Sequence, residues 1–171
     1  MRLFIAIRFP DNIQHALQRV MQSLRVEGVK GNYSRRDNLH LTLAFLGEVD
    51  SPGRICDAMR EVPPPEMELM LQGSGSFRDL YWIGLAENQE LKDYVAALRG
   101  ALTSRGIPYD MKPFRPHITM VRRMQYNGTI QIPIPQEHFT VQKISLMKSE
   151  RIDGRLIYTE IFAVKTRQKE K

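Results

Sequence analysis

A two-lobed α+β fold, with antiparallel sheet and flanking helices around a central cleft, is predicted by an internal repeat and by the way helical and strand-like stretches alternate. The pattern His-x-Thr-x occurs twice, as His40-Leu41-Thr42-Leu43 and His117-Ile118-Thr119-Met120, using two of the four histidines. Each copy follows an apolar, strand-like run: Arg2-Leu3-Phe4-Ile5-Ala6-Ile7 ahead of the first, Leu80-Tyr81-Trp82-Ile83-Gly84-Leu85 ahead of the second. The motifs lie 77 residues apart, His40 to His117, and the runs 78, Arg2 to Leu80. A helical stretch separates run from motif both times. The chain therefore reads as a duplicated strand-helix-strand unit whose two motifs face each other across a cleft.

The elements follow in order. Residues 2 to 9 form a strand ended by Pro10, and Asp11 or Asn12 is placed to cap a helix with Ile13, Leu17, Val20, Met21 and Leu24 as its apolar stripe. Gly28 breaks that helix. The run Asn38 to Phe45 is the first motif strand, closed by Gly47. A short helix over about Pro52 to Val62 is stopped by Pro63-Pro64-Pro65, a hinge or sheet edge. Met67 to Leu71 and Leu80 to Leu85 read as strands around a turn at Gly73-Ser74-Gly75-Ser76, and Asn88 caps a helix ending at Gly106. Arg115 to Val121 is the second motif strand. Phe139 to Ser149 and Leu156 to Val164 form a hairpin that turns through Ile152-Asp153-Gly154.

A length of 171 residues suits a single domain over 1–171, and 42% hydrophobic content is enough for a core. The net charge of +6 and the isoelectric point near 9.6 favour an anionic partner. The basic residues gather at the histidines, with Lys30, Arg35 and Arg36 flanking the first motif and Lys112, Arg115, Arg122 and Arg123 the second. The lone Cys56, read as a small buried hydrophobe, excludes an intramolecular disulfide and suits a reducing cytoplasm. The run from Leu3 to Ile7 is too short for a signal-peptide core or a membrane span. The tail, 165–171, is charged and is expected to fray.

On a strand, side chains two apart share a face, so His40 and Thr42, like His117 and Thr119, point away from Leu41, Leu43, Ile118 and Met120. One face is core and the other chemistry. An imidazole takes or gives a proton near neutral pH, and a hydroxyl two residues on donates to an anionic oxygen. Two such strands face to face make a phosphate site with an acid and a base on opposite sides. No metal is required, and a zinc site lacks ligands, because no Cys, third His or carboxylate accompanies the pair. His15 and His138 read as solvated surface groups, and Trp82 as core. Tyr33 and Phe45, near the first motif, are the candidates for base stacking.

The segments Asn38-Leu39-His40-Leu41-Thr42-Leu43-Ala44-Phe45-Leu46-Gly47-Glu48 and Phe114-Arg115-Pro116-His117-Ile118-Thr119-Met120-Val121-Arg122 resemble the two signature motifs of RNA 2′,3′-cyclic phosphodiesterases, the 2′-5′ RNA ligase family of two-histidine phosphoesterases. The opening strand, Gly75-Ser76-Phe77, Ser149-Glu150, Gly154 and Tyr158 resemble family positions too, so the likeness covers almost the whole chain. One departure is Tyr33, where the family often has Trp. The resemblance implies opening of an RNA 2′,3′-cyclic phosphate to a 2′-phosphomonoester without cofactor, with His40 as proton donor and His117 as acceptor. The two motifs are chemically equivalent on paper, so those roles come from the resemblance alone. Thr42, Thr119 and Arg122 would hold the non-bridging oxygens. The partners implied are RNA with a 2′,3′-cyclic phosphate end or a cyclic nucleotide, no membrane, and a monomeric state.

Two rival readings stay open on the sequence. A non-catalytic RNA-end binding module would keep the basic cleft but would not need both motifs intact. Ligation of a cyclic end to a 5′-hydroxyl, as at tRNA-half-like ends, would use the same histidines with a ribose hydroxyl replacing water. The absence of a Gly-rich phosphate loop with its lysine favours hydrolysis.

Overall fold

The computed structural model describes residues 1–167. Chain order is β1 (Arg2–Arg8), α1 (Asp11–Val26), β2 (Lys30–Tyr33), a 3-10 turn at Arg36–Asn38, β3 (His40–Glu48), α2 (Gly53–Glu61), β4 (Glu68–Phe77), β5 (Leu80–Leu85), α3 (Gln89–Ser104), β6 (Ile118–Gln125), β7 (His138–Thr140), β8 (Lys143–Ile152) and β9 (Arg155–Lys165). Two sheets carry the two lobes, ordered β3-β1-β8-β9 and β2-β6-β5-β4-β7, with every named pairing antiparallel. In each half a strand, a helix and a returning motif strand bring the two strands side by side, β1 with β3 and β5 with β6.

Alternation decides which face of each sheet is core. On β1, Leu3, Ile5 and Ile7 join the main core, while Phe4 and Ala6 point the other way, into a small cluster with Met147. The apolar stripe of α1, Ile13, Ala16, Leu17, Val20, Met21 and Leu24, is buried in the main core as its spacing predicts. This helix ends where expected, with Gly28 at φ 89 and its N–H on the Arg25 carbonyl, a backbone turn that a side chain would oppose. Helix α3 starts at the predicted cap, the Asn88 side chain accepting from the Leu91 N–H at 2.9 Å.

Several boundaries differ from expectation. Helix α1 begins at Asp11 after Pro10, with no side-chain cap, so neither Asp11 nor Asn12 caps it. The Asn12 side chain donates instead to the His138 carbonyl. The glycine-rich Gly73-Ser74-Gly75-Ser76 is not a turn but part of β4, where Gly73 at φ 75 marks a one-residue irregularity against β5. The hairpin expected from Phe139 starts only at Lys143. Phe139 belongs to β7 in the second sheet, and the chain crosses to the first at Val141-Gln142. β2 was not anticipated: Lys-Gly-Asn-Tyr has no apolar alternation, and as an edge strand it needs none. The expected frayed tail is engaged through Arg167, whose N–H donates to the Pro64 carbonyl at 2.8 Å, while 168–171 lie outside the described residues. Cys56 is half-buried against the core rather than enclosed. Among the described residues no helix is long and apolar enough to cross a membrane.

Candidate active site

The geometry of the candidate site begins with two bulges. On β3, Thr42 pairs with Ala6 but Ala44 pairs with Ile5, so Leu43 is an extra residue. On β6, Thr119 pairs with Trp82 but Val121 pairs with Tyr81, so Met120 is extra in the same place. A bulge reverses the alternation beyond it. Ala44 and Val121 therefore turn into the core, while Phe45 and Arg122 reach the face that carries the motif histidines and threonines. The carbonyl of each bulged residue is satisfied. Leu43 accepts from Arg99 Nε and Nη2 at 3.1 and 2.9 Å, and Met120 accepts from the Ser34 N–H at 2.9 Å. Ser34 Oγ adds a bond to the Thr119 carbonyl at 2.7 Å.

Both imidazoles are held alike. His40 Nδ1 lies 2.7 Å from the Asn38 carbonyl and His117 Nδ1 lies 2.8 Å from the Arg115 carbonyl, in each case two residues back. A carbonyl only accepts, so Nδ1 carries the hydrogen and Nε2 is left for chemistry. The Asn38 side chain donates in turn to the Leu156 carbonyl at 2.8 Å, tying the first anchor to β9. Strand β3 contacts β6 across the lobes.

The surroundings differ. His40 packs among Phe4, with ring centroids 4.9 Å apart, and Tyr158, edge-on at 5.2 Å, and its Nε2 lies 2.9 Å from Thr42 Oγ1. Burial pushes the His40 pKa down to about 4; the Asn38 carbonyl opposes this, and the nearby Arg122 and His117 charges add to it. His40 is thus neutral near pH 7, with Nε2 accepting from the Thr42 hydroxyl. His117 is exposed, so its Nε2 is open to water.

The structure brings Thr42, His117 and Arg122 close to His40, and Phe45 and Thr119 share the strand faces of Thr42 and Arg122 respectively. Tyr33 is not among them. It pairs with Val121, whose side chain is in the core, so it faces away from the cleft; its hydroxyl donates to the Val29 carbonyl at 2.6 Å, and the Arg25 guanidinium sits 4.1 Å from its ring centroid. The stacking expected of Tyr33 is therefore unavailable in this position. Phe45 lies parallel to Phe4, centroids 6.3 Å apart, with the Arg2 guanidinium 5.2 Å from its ring. Trp82, read as core, is half-buried on the cleft face beside Thr119. Phe4 and Tyr158 carry no role in the sequence reading, although both fall at positions that resemble the family's; Tyr158 reaches His40 through the β1–β8–β9 pairings. His15 and His138 are exposed as expected, the latter 2.8 Å from Glu68 Oε1. Among the described residues no group of three or more His, Cys, Asp or Glu is placed to hold a metal ion.

The family model described as LigT-like phosphoesterase matches residues 7–81 and 83–158, one motif in each stretch. The chain belongs to the LigT-like phosphoesterase family. An RNA 2′,3′-cyclic phosphodiesterase of Archaeoglobus fulgidus is 33% identical over 138 residues, 76% of this chain and 77% of that protein. One of Geobacillus stearothermophilus is 28% identical over 162 residues, covering 85% of this chain but only 51% of that protein's length. Among solved structures, E. coli LigT complexed with 3′-AMP superposes with a TM-score of 0.85 at 29% identity, over 98% of both chains. The fold expected from the sequence is the family's.

Proposed function

We propose that this LigT-like phosphoesterase hydrolyses 2′,3′-cyclic phosphodiester ends of RNA to 2′-phosphomonoesters by histidine acid-base catalysis. The observation that carries the reading is the matched anchoring of two imidazoles from opposite lobes, each with Nδ1–H on the carbonyl two residues back and Nε2 left for the cleft. The relatives named RNA 2′,3′-cyclic phosphodiesterase support the substrate class.

Opening the ring needs a water in line with the departing oxygen, a base to take the water's proton and an acid to protonate the leaving oxygen. His117, exposed, has the access to solvent that a base activating water requires. His40, packed against Phe4 and Tyr158, is shielded from water and faces the leaving group. Water attacks phosphorus as His117 Nε2 takes its proton. The bond from phosphorus to the 3′ oxygen breaks, and His40 Nε2 protonates that oxygen, leaving the phosphate on the 2′ oxygen. His40 must be charged for this; burial above all, and then the Arg122 and His117 charges, oppose its protonation in the free protein, and the bound phosphate anion favours it. Thr42, Thr119 and Arg122 hold the non-bridging oxygens.

The test is incubation with an oligoribonucleotide ending in a 2′,3′-cyclic phosphate, with and without chelator, and identification of the product isomer. A chelator-insensitive 2′-phosphate product supports the reading; an unchanged cyclic end overturns it.

A further inference from the structure

We infer that Trp82 is a platform on which a nucleobase of the RNA substrate stacks, in the wall of the cleft opposite the His40 aromatic cluster. This rests on the proposed reading of the cleft as a site for RNA ends.

Strand β5 alternates cleanly: Tyr81 and Ile83 are in the core, and Trp82 between them faces the other way. Its partner on β6 is Thr119, so the indole lies beside a proposed phosphate ligand. On its other side Trp82 pairs with Gly75 of β4. A methyl group at Gly75 would stand 2.9 Å from Trp82 Cε2 and 3.0 Å from Cη2, and closer still to Cζ2. At Gly84, two residues along β5 on the same face, it would meet Trp82 Cζ3 at 3.3 Å and the Gln72 carbonyl oxygen at 2.9 Å. Side chains usually stand off a sheet. Here the two glycines leave bare backbone onto which the indole folds down, so one face rests on β4 and β5 and the other is turned to the cleft.

Among the described residues no aromatic ring or cation stacks on Trp82, whereas Phe45 has Phe4 parallel to it and the Arg2 guanidinium over its ring. A flat aromatic surface beside phosphate-binding groups fits a nucleobase, because every base has a π-face whatever its hydrogen-bonding edge. The platform therefore accepts all four bases.

Trp82 is the only tryptophan in the chain, so its fluorescence reports on this position alone. The experiment titrates the unmodified protein with 2′-AMP, 3′-AMP, ribose 5-phosphate and inorganic phosphate, following emission excited at the red edge of indole absorption. Binding is monitored in parallel by calorimetry. Both nucleotides are expected to quench the emission, and the two ligands without a base are not. In turnover, Trp82→Leu should raise KM for a cyclic-ended oligonucleotide by about 5- to 150-fold, the range of one base-aromatic stack, and Trp82→Phe should recover most of it. Nucleotides that bind by calorimetry without quenching, equal quenching by inorganic phosphate, or no nucleotide binding at all would each overturn the platform. Hydrolysis without quenching removes the platform and leaves the proposed activity standing. Quenching without hydrolysis does the reverse.

Discussion

Phe45 and Arg122 occupy the same place in the two halves of the molecule. Each is the fifth residue after a motif histidine, and each reaches the cleft because one bulged residue, Leu43 or Met120, reverses the strand's alternation. Without the bulges both would point into the core. The duplication thus extends beyond His-x-Thr to a third cleft position, filled by an aromatic in one lobe and a cation in the other. That difference gives the two similar strands unequal environments, with rings around His40 and a positive charge beside Thr119.

The first bulge depends on a residue far away in sequence. Arg99 on α3 donates twice to the Leu43 carbonyl and once, through Nη1 at 2.8 Å, to the Lys112 carbonyl. Arg99→Met removes these donors and strands the Leu43 carbonyl, at a cost of about 1–3 kcal/mol. Urea unfolding should show a lower midpoint with an unchanged slope. A variant as stable as the wild type would mean that water satisfies the bulge equally well.

If His40 and His117 each carry a proton transfer, His40→Ala and His117→Ala should each lower kcat by at least about 10² while the circular dichroism spectrum is retained. A chelator should leave the wild-type rate unchanged. Near wild-type turnover by either variant would rule out the paired mechanism.

Arg122, proposed to hold a non-bridging oxygen of the substrate, also acts on His40 through its charge. Arg122→Gln should raise KM by roughly 10-fold or more through loss of a charge-assisted contact to phosphate. Because the guanidinium charge helps hold His40 neutral, its removal should also move the His40 titration upward. An NMR titration of the imidazole checks the second effect independently of turnover. Movement downward, or none, would place Arg122 too far away to act.

The buried imidazole should also mark stability. Below its ordinary value of 6.5 the unfolded chain gains a proton at His40 that the folded protein takes up only near pH 4. Stability is therefore lost as pH falls from about 6.5, with the loss levelling off below about 4. Its limit is about 3 kcal/mol, reduced by solvent in the half-open cleft. Melting temperatures across this range should fall less steeply for His40→Ala than for the wild type.

The motif strands and the core face of α1 were legible because they are written in local periodicity. The bulges were not. Nothing in Leu43 or Met120 distinguishes them from ordinary core residues, and only the pairing with Ile5-Ala6 or Tyr81-Trp82 shows them to be extra. The same limit explains the errors at Tyr33 and Trp82. Proximity to a motif in sequence favoured Tyr33, and an apolar setting favoured burial of Trp82. Which face a side chain takes is set by its cross-strand partner, Val121 in one case and Thr119 in the other. The glycines of β4 misled for a related reason: Gly75 makes room for an indole, which resembles a turn signal when read along the chain.

The unequal settings of the two histidines lead to a test of their roles. With His117 as base, water enters on the exposed side and the oxygen beside His40 departs, so the product carries a 2′-phosphate. Reversed roles would give the 3′-phosphate from the same binding pose, which makes the isomer a direct readout. The profile of kcat/KM against pH should be bell-shaped in either case, since base and acid must be in opposite protonation states, and its limbs belong to the coupled pair. The leaving group separates the roles further. A substrate whose 3′ oxygen is replaced by sulfur departs as a thiolate without protonation, so it should restore turnover to His40→Ala but not to His117→Ala. Restoration of the His117 variant, or a 3′-phosphate product, would exchange the two assignments while leaving both imidazoles essential.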